Sequence, residues 1–331
     1  MYARHQLTTI DHHHGQASRT VVAGYPTIRG GTMREKADYY LANLSWVHEG
    51  LIREPRGHRN MLGAILTEPV SSDSAFGLLF LHANGLFDGC GDSTFCAAAA
   101  AIETGRVEVT EPVTRFSIDT VNGPLHVEAD VAGGIVSEVR FENIPSYVVG
   151  RETVSLPDHG EVAVDIAFGG NYFGFVDAAA VGLSVEPASE RAIIATALEL
   201  WDVLDARTLA ENVHLGAPSR IELFTFVKKT AENRYRVANV YKPGRMGRTP
   251  SGTGTSAHIA LRFAQGDYDA GQPFIQESIL GTEFRASAKP HQLRAGPAVL
   301  PTIGTKSFLM GVHQFYIDPA DPYARGQTIE G

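Results

Sequence analysis

The chain is short of cysteine, of clustered positive charge and of long apolar runs, and each shortage closes off a class of protein. Its 331 residues include only two cysteines. Cys90 and Cys96 lack C-x-x-C spacing, so they make neither a disulfide framework nor a thiolate zinc site. Lysine and arginine (28) are outnumbered by aspartate and glutamate (37), giving a net charge of −9. The basic residues are scattered, which makes nucleic acid and anionic membranes poor partners. Nowhere are eighteen consecutive residues apolar, and Met1-Tyr2-Ala3-Arg4-His5 leads into nothing like a signal peptide. The expectation is a soluble cytoplasmic protein with no membrane partner. There is also no low-complexity segment and no linker rich in proline and serine.

An apolar content of 44% supports a large core, and the length suggests two domains. Strand-like runs alternate with glycine turns at 20–24, 75–81 and 116–121. After about Ser146 the character repeats at 162–166, 172–176 and 221–227. Helical patterns are fewer: 33–41, 191–204 and two segments that begin after Cys90 and after Ser251. The reading is an α+β chain of two similar lobes, compactly joined.

Those last two segments are near copies. Gly89-Cys90-Gly91-Asp92-Ser93-Thr94 and Pro250-Ser251-Gly252-Thr253-Gly254-Thr255 align Cys90 with Ser251, Gly91 with Gly252, Thr94 with Thr255 and Ala99 with Ala260. Both run into helix formers ended by a glycine, Gly105 or Gly266. A helix N-terminus offers unpartnered N–H groups and favours an anion, and glycine lets a ligand approach the backbone. Each motif can therefore cradle a carboxylate while presenting one side chain to the neighbouring carbon. A cysteine so placed is expected to have its thiol pKa lowered from roughly 8.5. A serine there remains a hydroxyl. A glycine-flanked helix entry is also common at tight turns, and Cys96 reads as a small apolar residue on a helix face. Cys90 stands apart because it has a double. The run His12-His13-His14 invites a metal, yet neighbouring strand residues point to opposite faces, so hydrogen-bonding roles are expected and no metal.

The chain resembles the proline racemase superfamily, which includes proline racemase, 4-hydroxyproline 2-epimerase and trans-3-hydroxy-L-proline dehydratase. The resemblance is carried by Ile10-Asp11 with His13, Gly31-Thr32-Met33-Arg34-Glu35-Lys36, Glu54-Pro55-Arg56-Gly57-His58, Gly169-Gly170-Asn171-Tyr172-Phe173, Gly252-Thr253-Gly254-Thr255-Ser256-Ala257, Glu277-Ser278-Ile279-Leu280-Gly281-Thr282 and His313-Gln314-Phe315 with Asp318-Pro319-Ala320-Asp321-Pro322. It implies a fold of the diaminopimelate epimerase type, each lobe a curved mixed sheet around a central helix, with the active site in the cleft between them. Residues 1–145 plus about 295–331 would form the lobe carrying Cys90, and about 146–294 the lobe carrying Ser251. Racemases of the family use no cofactor: two cysteines face the α-carbon from opposite sides.

Three positions depart from the family pattern. Cys90 matches the first catalytic cysteine, but the second is Ser251. The family's C-G-H is Cys90-Gly91-Asp92, and the aspartate opening its D-R-S-P-C string is Gly247. In the family that histidine and aspartate lie beside the substrate amino group, so Asp92 is expected to pair with a substrate ammonium.

A hydroxyl without an adjacent base is a poor proton acceptor near neutral pH. One-base chemistry is therefore expected. The resemblance to the family's dehydratases, which keep the first cysteine and carry threonine or another hydroxyl residue at the second position, implies that Cys90 removes the α-proton of a trans-3-hydroxy-L-proline-like substrate and that the product is a pyrroline-2-carboxylate. Backbone N–H groups of Gly91, Asp92, Gly252 and Thr253 would hold the carboxylate, and the resemblance implies that Asn171 and Tyr172 face the substrate ring. Epimerisation by Cys90 and Ser251, and a non-catalytic amino-acid-binding protein, stand as alternatives, and a homodimer is an open expectation. Arg56 and His58 read as loop-holding residues, Glu277 as either a cleft or a turn residue, and Asp318 and Asp321 as turn formers.

Overall fold

Runs of β-branched and aromatic residues separated by glycine turns fold into strands, and two small-residue helices thread between them. The structure, a computed structural model, describes residues 4–204, 220–294 and 296–327. It divides into two units, one of residues 1–140 with 306–331 and the other of residues 141–305.

In the first unit strand Phe308–Ile317 pairs antiparallel with His5–His13, which pairs antiparallel with Ala17–Ala23. The sheet continues through Leu62–Thr67 (parallel), Phe76–His82 (antiparallel), Val113–Thr120 (parallel) and Gly123–Ala132 (antiparallel). Helices α1 (Met33–Asn43) and α2 (Trp46–Ile52) bury Met33, Tyr40, Val47 and Leu51 against Leu7, Val21, Ile65 and Ile317. Helix α1 starts where the sequence signals it: the Thr32 hydroxyl accepts the Glu35 N–H and the Glu35 carboxylate accepts the Thr32 N–H. Helix α3 (Gly91–Glu103) is buried on all sides from Gly91 to Ile102. A helix that is apolar all round belongs inside a core, and the run Ala97–Ala101 keeps it thin enough for strands to pack closely on it.

The second unit repeats the order of pairings. Tyr147–Leu156, Gly160–Phe168 and Tyr172–Asp177 follow one another antiparallel. Then come Leu223–Ala231 (parallel), Arg234–Tyr241 (antiparallel), Phe274–Ser278 (parallel), Glu283–Leu293 (antiparallel) and Gly296–Thr305 (antiparallel). Helix α4 (Glu190–Leu204) covers the outside through Ile193, Ala197, Leu200 and Trp201. Helix α5 (Gly252–Gln265), like α3, is buried through its first ten residues. It lies so close to the preceding strand that a Cβ on Gly169 would meet the Thr253 carbonyl oxygen at 2.3 Å. The expected α+β fold of two similar lobes, each a mixed sheet around a central helix, is the one observed.

Candidate active site

Helices α3 and α5 begin in the same way. Cys90 and Ser251 are the N-cap residues. The Thr94 N–H and hydroxyl both reach the Cys90 carbonyl (3.0 and 2.9 Å), as those of Thr255 reach the Ser251 carbonyl (2.8 and 2.7 Å). The threonine shared by the two sequence copies thus tethers the cap carbonyl in each unit.

Around Cys90 the groups are titratable. Its thiol donates to the Ser93 hydroxyl oxygen (3.5 Å), which also accepts from the Ser18 hydroxyl (3.0 Å). Asp92 is buried with its carboxylate 2.7 Å from Nε2 of His14, whose Nδ1 lies 3.5 Å from Sγ of Cys96. This geometry fits an imidazole that donates to Asp92 and accepts from the Cys96 thiol.

The expectation of a lowered Cys90 pKa is corrected. Burial, and then the Asp92 carboxylate, push the Cys90 thiol up to about 12, against the weaker pull of hydrogen bonds from Ser93 and the Asp92 amide. The helix field is outweighed by desolvation and a like charge two residues away. Cys90 at rest is a thiol.

Around Ser251 the chain is fixed by neutral hydrogen bonds. The Ser251 hydroxyl accepts the Gly254 N–H (3.0 Å) and lies 3.3 Å from the Thr253 hydroxyl, which in turn accepts from the Asn171 amide (3.2 Å). Ser251 has φ +68° and ψ 124°, a conformation that costs a residue other than glycine about 1–3 kcal/mol. Its neighbours hold it there. The Pro250 carbonyl accepts from the side-chain amides of Asn239 (2.9 Å) and Gln276 (3.0 Å), and Asn239 also reaches the Thr249 carbonyl (3.1 Å). Gln276 is oriented by Nδ1 of buried His258 (2.7 Å), whose Nε2 accepts from Arg262 (3.0 Å). Burial, and then the Arg262 charge, pull the His258 pKa down to about 3, so the ring stays neutral and can hold both bonds.

The structure therefore gathers Cys90, Gly91 and Asp92 at one helix start and Ser251, Gly252, Thr253 and Asn171 at the other. Tyr172 is fully buried with its hydroxyl 3.2 Å from that of Tyr147. Gly247 donates its N–H to the Asn239 carbonyl (2.7 Å), and a Cβ there would meet only ordinary contacts with Asn239 at 3.4 Å. Arg56 holds the Gly50 and Tyr323 carbonyls and the Asp321 carboxylate. Glu277 pairs with Arg236, while Asp318 and Asp321 cap turns through the N–H groups of Ala320 and Tyr323. The three histidines part company: His12 goes to Glu103 (3.1 Å), His13 stacks on Phe308, and His14 goes to Asp92. Sequence reasoning did not find His14, Asn239, Gln276 or His258 as supports of the two helix starts, because each acts on a partner ten or more residues away; Ser93 lies within the motif, three residues from Cys90, but nothing local marks its hydroxyl as the thiol's partner.

The family model described as proline racemase matches residues 9–328. Among similar proteins, a 4-hydroxyproline 2-epimerase of Streptosporangium roseum is 35% identical, with 95% of this chain and 96% of that protein covered. A trans-3-hydroxy-L-proline dehydratase of Bacillus cereus is 33% identical, with 96% and 97% covered. The fold matches that of a hydroxyproline epimerase from Agrobacterium vitis, with a TM-score of 0.92 at 24% identity over 99% of this chain and 96% of that one. With its repeated cap motifs and a match spanning nearly its whole length, the chain belongs to the proline racemase family.

Proposed function

We propose that this chain is a cofactor-independent enzyme that removes the α-proton of a proline-type amino acid with Cys90, and that its reaction is dehydration of trans-3-hydroxy-L-proline. The observation that carries this reading is the state of Ser251. Its hydroxyl is committed as a helix cap to the Gly254 N–H, and the neighbour that orients it is another hydroxyl, Thr253. A hydroxyl in that setting can donate or relay a proton, but it lacks the basicity to begin a reaction.

The chemistry then needs only one thiol. As thiolate, Cys90 takes the α-proton, the C–H electron pair becomes the ring double bond, and the C3–O bond breaks. In the trans isomer the hydroxyl lies on the same ring face as the α-proton, so the proton held by Cys90 can pass to the departing oxygen. Water leaves and a pyrroline-2-carboxylate remains. In this reading Asp92, held by His14, receives the substrate ammonium. That cation offsets the Asp92 charge that raises the Cys90 pKa, so substrate binding itself favours the thiolate. The N–H groups at Gly91, Asp92, Gly252 and Thr253 would hold the carboxylate, with Asn171 and Tyr172 lending the ring its surroundings.

Epimerisation of a hydroxyproline is the second reading. It is favoured by Cys90 being a thiol at rest, the form that returns a proton. Proton NMR in deuterium oxide with a panel of proline derivatives separates the two. Loss of the ring hydroxyl is the expected result. Inversion with deuterium at the α-carbon and the hydroxyl retained would replace dehydration by epimerisation, and no change with any ligand would leave a binding protein.

A further inference from the structure

We infer that the second unit holds a further ligand site, at the far end of helix α5 from Ser251, built for a free α-amino acid with an apolar side chain. A cavity of about 340 Å³ lies there, within the size range of small-molecule pockets. It is bounded by Arg262, in the last turn of α5, and by one face of the neighbouring strands. Arg262 stands eleven residues along the chain from Ser251, about 16 Å of helix.

The charges around the cavity leave one of each sign unmatched. Arg151 grips Asp165 through Nε and Nη2 (2.6 and 2.9 Å), and Asp267 lies 3.5 Å from Arg262. Asp177 and Lys229 also line the cavity, and among the described residues neither makes an ion pair, with the other or with any third group. Asp177 stands opposite Val227 in the parallel pairing of Tyr172–Asp177 with Leu223–Ala231. Lys229 is two residues further on and faces the same side, about 8 Å from Asp177 at the backbone. A ligand that fills this gap needs a cation toward Asp177 and an anion toward Lys229, on atoms close together. An α-amino acid has both on one carbon.

Arg262 offers the carboxylate a second donor. Its Nε donates to His258 (3.0 Å), its Nη1 donates to Gln265 (3.0 Å), and the guanidinium lies over the Tyr235 ring (5.2 Å). Its Nη2 makes no hydrogen bond among the described residues. A guanidinium fixed by three neighbours with one nitrogen uncommitted is pre-organised for an anion. The internal repeat supplies a control, because the cap alignment puts Ala97 and Ala101 of α3 opposite His258 and Arg262 of α5. Alanine suffices where a central helix only fills a core, so the charge at 262 serves the second unit alone. Phe175, Val227 and Tyr235 supply the apolar wall on which the side chain of the amino acid rests.

Isothermal titration calorimetry of the full chain with L-leucine tests this. The expected result is saturable binding of one leucine per chain, weakened at least about tenfold by Asp177→Asn and by Lys229→Met. Both residues are exposed, so neither variant removes a core contact. Isopentylamine, which lacks the carboxylate, and 4-methylpentanoate, which lacks the ammonium, should each bind at least about tenfold more weakly than leucine. Binding should persist in Asp92→Asn. Absence of saturation at millimolar leucine, equal affinity for either single-charge analogue, indifference to both cavity substitutions, or loss of binding in Asp92→Asn, which would move leucine to the α3 start, overturns the proposal.

Discussion

Cys90 and Ser251 occupy equivalent places yet are held in different states, and residue chemistry explains why. Burial and the Asp92 carboxylate raise the Cys90 thiol to about 12, so its thiolate fraction grows with pH up to that value. Alkylation of Cys90 by iodoacetamide is therefore expected to be slow at neutral pH and to climb continuously through pH 10, without a plateau near 8.5. Asp92→Asn removes a like charge, and each pKa unit regained raises the thiolate fraction about tenfold. Peptide mapping should show faster labelling of Cys90 in that variant, with Cys96, which is fully buried, unlabelled in both; an unchanged or slower rate contradicts the assigned cause. At Ser251 the cap and the backbone conformation oppose one another. Ser251→Ala loses the cap, worth about 1 kcal/mol, and keeps the unfavourable φ. Ser251→Gly relieves the conformation, so urea unfolding should find it at least as stable as Ser251→Ala. The reverse order would mean that φ +68° carries no cost.

Helices α3 and α5 were legible in the sequence because their starts are written in local chemistry: a cap residue, a glycine, and a threonine that reaches back to the cap carbonyl. Helix α1 was legible from the helical pattern over 33–41, whereas its Thr32 and Glu35 capping pair emerged only in the structure. Helix α2 was not, since its seven residues lie directly after α1 and are too few to show a period. The supports of the α5 start were also hidden. Gln276 lies 26 residues from Pro250, on a strand whose neighbour is set by sheet pairing. Gln276→Leu removes one of two donors to the Pro250 carbonyl and leaves the His258 N–H unpaired. The expected cost is about 2 kcal/mol of stability, in the range for unmatched buried polar groups. Chemical denaturation checks it, and a loss below a few tenths of a kcal/mol would show that the network does not hold the Ser251 turn.

In the whole molecule the doubling seen at two helix starts extends to the strands. Both units run antiparallel, antiparallel, parallel, antiparallel, parallel, antiparallel. That order was not legible, because strand pairing is decided by contacts far apart in sequence, whereas apolar alternation and turn glycines are local. Chemistry diverged where architecture did not: one unit keeps a thiol beside a buried carboxylate and imidazole, and the other keeps a capped hydroxyl. The central claim is that the thiol alone begins the reaction. The most direct measurement is the rate at which the substrate α-proton is lost, followed by NMR in Cys90→Ser and Ser251→Ala. Cys90→Ser should slow that loss by about 10²–10⁴-fold, the usual worth of a positioned base, while Ser251→Ala stays within about tenfold of the parent, a difference of about 1.4 kcal/mol in barrier. Loss of the α-proton that survives in Cys90→Ser and vanishes in Ser251→Ala would contradict the account.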